Sequence, residues 1–247
     1  MTQLLFKACG ISDIGKVRKN NEDVWADLSD IHCYLLADGM GGHQAGEIAA
    51  KETVDWLCRA LKKNLKSKTI SLDEALKVIE AAIQSANNHV YKLGRSTTEM
   101  KGMGTTLCLL YLHPEGAVYA HVGDSRIYRL RDKKIKLMTE DHSLFSELAQ
   151  SGKIGNIERE EFTYKNIITK AVGTEPQIKP TIAVDAMHSK DLYLLCTDGL
   201  SDLLTTAEME KIINEAPSLS LAASELVALS KNKGGHDNVT ALLVGAK

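Results

Sequence analysis

The order of periodic segments predicts an α+β fold in which β-sheets pack together and helices cover them from outside. Strands, two helices, many strands, two helices and a strand follow one another, which is not the regular alternation of a parallel α/β sheet. Two amphipathic stripes lie back to back early in the chain. Later runs such as 191–196 and 239–244 are almost continuously apolar, as strands covered on both faces must be.

The first helix is read from Ala49, Thr53, Trp56, Leu57, Ala60 and Leu61, which recur on one helical face. The second carries Leu72, Ala75, Leu76, Ile79, Ala82, Ile83, Ala86 and Val90. It opens on Ser71-Leu72-Asp73-Glu74, a capping box that satisfies free amides at a helix start. A short connection at 67–70 makes the two antiparallel neighbours. Runs 105–112 and 117–122 flank His113-Pro114-Glu115-Gly116 as a hairpin, and 127–130 continues after Gly123-Asp124-Ser125-Arg126. A third helix starts at Thr205-Thr206-Ala207-Glu208. A fourth carries Leu219, Ala222, Ala223, Leu226 and Leu229 on one face. Segment 141–166 is charged, holds Gly152 and Gly155 and lacks periodicity, as expected of a lid or binding loop.

A hydrophobic content of 44% over 247 residues supports a buried core and argues against disorder. Thirty basic and thirty-two acidic residues leave a net charge of −2 without long runs of either sign, which gives no support to nucleic-acid or membrane binding. Cys9, Cys33, Cys58, Cys108 and Cys196 lack paired spacing and read as free thiols of a reducing compartment. No apolar stretch has signal-peptide or membrane-span length. The expectation is a cytoplasmic protein without a dividing linker.

Four aspartates stand where strand-like runs end or Gly/Asn-rich turns begin: Asp23, Asp38, Asp198 and Asp237. Asp38-Gly39 and Asp198-Gly199 follow apolar runs, and Asp237-Asn238 precedes the last. Each alone is also explained as a turn. Together they suggest carboxylates gathered around hard cations such as Mg²⁺ or Mn²⁺, whose charge removes the mutual repulsion. Folding of such a site is coupled to metal.

The phrases Arg18-x-x-Asn21-Glu22-Asp23, Asp38-Gly39-Met40-Gly41-Gly42, Gly102-Met103-Gly104-Thr105-Thr106, Gly123-Asp124-Ser125-Arg126, Asp198-Gly199-Leu200-Ser201-Asp202 and Asp237-Asn238-Val239-Thr240 resemble, in order, the motif set of the metal-dependent Ser/Thr protein phosphatases, the PPM or protein phosphatase 2C family. The resemblance spans nearly the whole chain. It implies one catalytic domain over 1–247, a four-layer αββα sandwich of two antiparallel sheets flanked by pairs of helices, with 141–166 as a flap. It implies that Asp38 bridges two ions beside the Gly39 carbonyl, that Asp198 and Asp237 serve the first ion, and that Asp23 and Glu22 serve the second. Asp124 resembles a residue that binds a third, weaker ion with Asp198 and Asp202; a hairpin role is the alternative. Arg18 is similar to the phosphate-binding arginine of the family, a use that suits a bidentate, permanently charged guanidinium. Thr240 reads as core, and Asn238 as a residue that shapes turns.

The implied reaction is hydrolysis of phosphoserine and phosphothreonine in proteins by water activated between two metals. The implied partners are phosphorylated proteins, including a Ser/Thr kinase and its substrates, met by a monomeric enzyme. Met40 stands where many eukaryotic members have a histidine, and His43 follows, as in the bacterial branch. Three roles are open to His43: general acid, loop orientation or substrate contact. Two other classes compete with this reading: a phosphatase-shaped binding module without activity, and a two-metal hydrolase of small phosphate esters.

Overall fold

The computed structural model describes residues 6–41, 45–66, 70–155 and 157–246. Among these residues eleven strands build two sheets in which every pairing is antiparallel. In chain order they are β1 (Phe6–Asp13), β2 (Asp23–Leu28), β3 (Cys33–Met40), β4 (Gly104–Thr105), β5 (Leu107–His113), β6 (Gly116–Val122), β7 (Arg126–Arg131), β8 (Lys134–Leu137), β9 (Thr181–Asp185), β10 (Leu192–Cys196) and β11 (Val239–Ala246). One sheet runs β1-β11-β10-β7-β8 and the other β2-β3-β5-β6-β9, with β4 added beside the end of β3. The helices are α1 (Ala45–Asn64), α2 (Leu72–Leu93), α3 (Leu144–Gln150), α4 (Asp198–Ser201), α5 (Thr206–Glu215) and α6 (Leu219–Asn232).

Side chains alternate across a strand, so an unbroken apolar run fills two layers at once. Cys33, Leu35 and Ala37 of β3 join the core beneath α1 and α2, while Tyr34 and Leu36 enter the core between the sheets. Leu194 and Cys196 of β10 meet α5 and α6, and Tyr193 and Leu195 point inward. This double burial produces the four-layer αββα sandwich and explains why 191–196 and 239–244 show no polar alternation.

The expected capping box forms, and a second one stands at α5. Ser71 and Glu74 exchange hydrogen bonds at the start of α2, and Thr205 and Glu208 do so at α5. Helices α1 and α2 are antiparallel. His89 stacks on Trp56 with centroids 4.3 Å apart and meets Glu52 at 2.8 Å, while Ser85 accepts from the Trp56 indole at 3.0 Å. Helix α1 starts just beyond the Asp38 turn, so α2 ends at that same end of the sandwich.

Sequence periodicity does not mark β8, β9, α3 or the four-residue α4. β8 and β9 are short and half exposed, and α3 is a seven-residue helix without a buried residue. Segment 141–166 is therefore not wholly irregular. It is closed at its root by an antiparallel bridge between Ser143 and Ile168, with Leu144 N–H donating to Ile167 at 2.8 Å. Inside it, Phe145 and Phe162 lie 5.6 Å apart.

Candidate metal centre

The aspartates meet at one end of the sandwich because six strands begin or end there. Asp23 opens β2 directly opposite Asp38 on β3. Asp124 turns between β6 and β7, Asp198 opens α4 straight after β10, and Asp237 precedes β11. Asp198 is thus the first residue of a short helix rather than part of an open turn.

Backbone contacts hold Asp38. Its N–H donates to Thr106 Oγ1 at 2.9 Å, and its carbonyl accepts from Thr105 Oγ1 and Thr106 N–H, each at 2.8 Å. Thr106 Oγ1 also meets Ser125 Oγ at 2.7 Å, which ties the Gly-Asp-Ser-Arg turn to the same clamp. Gly39 donates to the Glu22 carbonyl at 3.1 Å, and any Cβ there would collide with the Gly46 carbonyl at the start of α1. Gly199 lies against the Asn238 carbonyl with equal closeness. Only glycine permits either approach.

Asn238 is a hub. Its Oδ1 accepts from Glu22 N–H at 2.9 Å, and its Nδ2 donates to Ile14 and Asn20 carbonyls at 3.0 and 2.9 Å. It shapes the loop that carries Arg18, Glu22 and Asp23, as its sequence context implied. Thr240, read as core, does more. Its hydroxyl donates to Asp23 Oδ2 at 2.7 Å, and Thr197 Oγ1 donates to the same oxygen at 3.0 Å. A buried threonine inside the apolar β11 was the available signal.

Burial raises the carboxyls, and their neighbours add to it. Asp23 is pushed up to about 7 by desolvation, partly offset by Thr240 and Thr197, with Asp198 and Asp237 raising it further. Asp124 is raised to about 7 by burial and then by Asp198 and Asp141, and Asp198 to about 6 by burial and then by Asp237 and Asp202. Asp38 stands well above the ordinary range because it is desolvated and feels Asp23, Asp198, Asp124 and Asp237. Glu22 is raised by burial, with Asn20 and Arg18 opposing.

Two candidate ligands are engaged elsewhere. Arg18 donates to Asp237 Oδ2 at 2.6 Å, and Arg159 of segment 141–166 donates to Asp202 Oδ1 at 2.7 Å. Arg159 had no distinguishing sequence context. His142 lies under the Gly123–Asp124 turn, where its Nδ1 accepts from Gly123 N–H at 3.2 Å and its ring stacks on His121 at 4.5 Å. Burial, with His121 and Lys170, lowers it to about 4, so it is neutral at working pH. Ser143 caps α3. His43 lies outside the described residues, and Met40 packs towards Gly104.

The donor set fits hard divalent cations. Asp23 Oδ1 and Asp198 Oδ1 are buried without a hydrogen-bond partner, a costly state that an ion would relieve. Among the described residues no three side-chain ligands close into a preformed cage. Mg²⁺-like ions do not need one, since they keep several waters and use one or two carboxylates.

A family model described as protein phosphatase 2C matches residues 16–233. The chain belongs to the protein phosphatase 2C family. It is a phosphatase, and catalysis in this family depends on metal. It is 34% identical over 236 residues to the serine/threonine phosphatase stp of Listeria innocua, covering 94% of this chain and 93% of that protein. The serine/threonine phosphatase of S. agalactiae superposes with a TM-score of 0.90 at 32% identity, covering 98% of this chain and 100% of that one. The catalytic domain of the serine/threonine phosphatase PstP, solved with two manganese ions, gives a TM-score of 0.85 at 30% identity with 99% of each chain covered. No helix among the described residues is long and apolar enough to cross a membrane.

Proposed function

We propose that this chain hydrolyses phosphoserine and phosphothreonine in cytoplasmic proteins as a monomer, acting on a Ser/Thr kinase and the products of that kinase. The observation that carries this reading is the convergence of Asp23, Asp38, Asp124, Asp198 and Asp237 with buried, unpartnered oxygens on Asp23 and Asp198. We assign two Mn²⁺ or Mg²⁺ ions to this cluster, and a third weaker one to Asp124, Asp198 and Asp202. Asp38 would serve both ions, with the Gly39 carbonyl beside it; Asp198 and Asp237 would hold one, and Asp23 and Glu22 the other. When bound, the cations neutralise the carboxylates and furnish a nucleophile at neutral pH.

The chain's own groups orient the phosphoryl group. Arg18 is half exposed at the rim, so its exchange of Asp237 for two phosphate oxygens costs little desolvation. Thr105 and Thr106 fix the backbone of Asp38, and Thr197 and Thr240 fix Asp23, which preorganises the site before substrate arrives. His43 is assigned as the candidate proton donor to the leaving oxygen, with water as the competing source. An unchanged rate and pH profile in His43→Ala eliminates the histidine.

The test is phosphate release from a phosphothreonine peptide with Mn²⁺, with Mg²⁺ and with chelator, against nucleotides as controls. Release that chelator abolishes and Mn²⁺ restores is expected. Preferential hydrolysis of nucleotides, or peptide turnover in chelator, overturns the assignment.

A further inference from the structure

The loop after α2 borders an open groove of about 690 Å³, lined by Arg95, Ser96, Thr97, Thr98, Lys101 and Thr174 among others. None of its lining residues is acidic, and the one carboxylate of the loop, Glu99, is not among them. Neither Arg95 nor Lys101 has an ion-pair partner among the described residues. The Arg95 guanidinium lies 4.4 Å from the centroid of the Tyr91 ring, a cation–π contact that limits its freedom, and its planar fork of donors suits an oxyanion.

Place decides what such a groove is for. Helix α2 ends at the metal-centre end of the sandwich. Gly102, on the groove wall, lies two residues from Gly104, which pairs with Met40, while Thr105 faces Gly39. Chain reach of ~3.5 Å per residue and a cross-strand step of ~5 Å put the groove within roughly 20 Å of Asp38. An extended peptide spans that in about six residues. The metal centre takes the phosphate being cleaved, so a separate cationic groove at this distance complements acid beside the phosphorylated residue.

We propose that the Arg95–Lys101 groove docks acidic side chains lying within about six residues of the phosphoserine or phosphothreonine in a protein substrate. The inference rests on the phosphatase reading above and adds a sequence preference to it.

The experiment compares Mn²⁺-loaded wild type with the Arg95→Gln/Lys101→Gln double variant. The substrates are phosphothreonine peptides with glutamates on the N-terminal side, glutamates on the C-terminal side, or neutral flanks. Wild type should favour one acidic peptide roughly three- to tenfold in kcat/KM, through KM, with a preference that fades in salt. The variant should lose that preference and turn over the neutral peptide unchanged. Equal use of all peptides by wild type, or a preference that survives in the variant, overturns the groove and leaves the phosphatase reading standing. A second measurement needs no turnover: fluorescence anisotropy of a labelled, unphosphorylated acidic peptide. Salt-sensitive binding by wild type that the variant loses supports the groove even if every phosphopeptide resists hydrolysis, the result that sinks the activity alone. Inorganic phosphate serves as competitor. A groove that holds phosphate alone, with no difference between peptides, also overturns the proposal.

Discussion

Asp23 is aimed by its neighbours. Two hydroxyls, from Thr240 and Thr197, bind Oδ2, and this leaves Oδ1 as the buried oxygen without a partner. Hydrogen bonds to a carboxylate favour its charged form, so they hold Asp23 lower than burial alone would. Thr240→Val removes one donor and should raise Asp23 further above about 7. Mn²⁺ affinity should then fall severalfold at pH 6 and much less at pH 8, where the carboxyl ionises in either protein. Calorimetric titration at the two pH values checks this; equal losses at both would refute it. Asp38→Asn separates activity from stability. Its carboxyl is desolvated and surrounded by four like charges. A neutral amide cannot ionise and so avoids that repulsion as pH rises; the metal-free melting temperature should hold, and rise at high pH. Turnover should nevertheless fall by roughly a hundredfold or more if Asp38 has the bridging role proposed for it. Full activity in this variant would remove Asp38 from the centre.

Segment 141–166 is tied to the sheets by a buried ion pair at its root. Arg126 at the start of β7 forks onto Asp141 at that root, with Nε to Oδ1 at 2.9 Å and Nη2 to Oδ2 at 2.7 Å, and both residues are largely buried. Arg126→Met strands the Asp141 carboxylate and should cost about 3–5 kcal/mol by urea denaturation, whereas adding Asp141→Asn should recover part of the loss. No recovery would show that Arg126 acts through packing alone. Legibility from sequence follows the same distinction between local and distant contacts. Ser71-Glu74 and Thr205-Glu208 announce their helices because each partner sits three residues away. The apolar runs of β10 and β11 announce burial on two faces. The aspartates and Arg18 were legible through their motifs. Thr197, Thr240 and Arg159 were not, since their partners lie 174, 217 and 43 residues away and nothing local marks the pairing. β8, β9 and α3 escaped notice because exposed edges and a helix without buried residues carry little periodicity.

For the whole molecule, the acidic cluster makes stability, pH and metal a single equilibrium. Without metal, Asp23 and Asp124 lie near about 7 and Asp198 near about 6, while unfolded aspartates ionise near ~3.9. Between those limits the folded chain holds more protons than the unfolded one. Stability contributed by these carboxyls is therefore complete below about pH 4 and is lost as pH rises towards about 7. Metal reverses the direction. A cation binds the ionised carboxylates, so it competes with protons at low pH and meets less competition as pH rises. At a hundredfold excess over Kd, binding adds about 2.7 kcal/mol, which for a chain of this size is a rise in melting temperature of about 5–10 °C. Thermal denaturation with chelator should thus show lower stability at pH 8 than at pH 5.5 from this cluster. The gain from a fixed concentration of Mn²⁺ should be larger at pH 8, and the Asp38→Asn variant should show less of both effects. A gain from Mn²⁺ that is the same at the two pH values would mean that the ions bind away from these carboxylates, because only groups still protonated in the metal-free fold can couple ion binding to pH in this window.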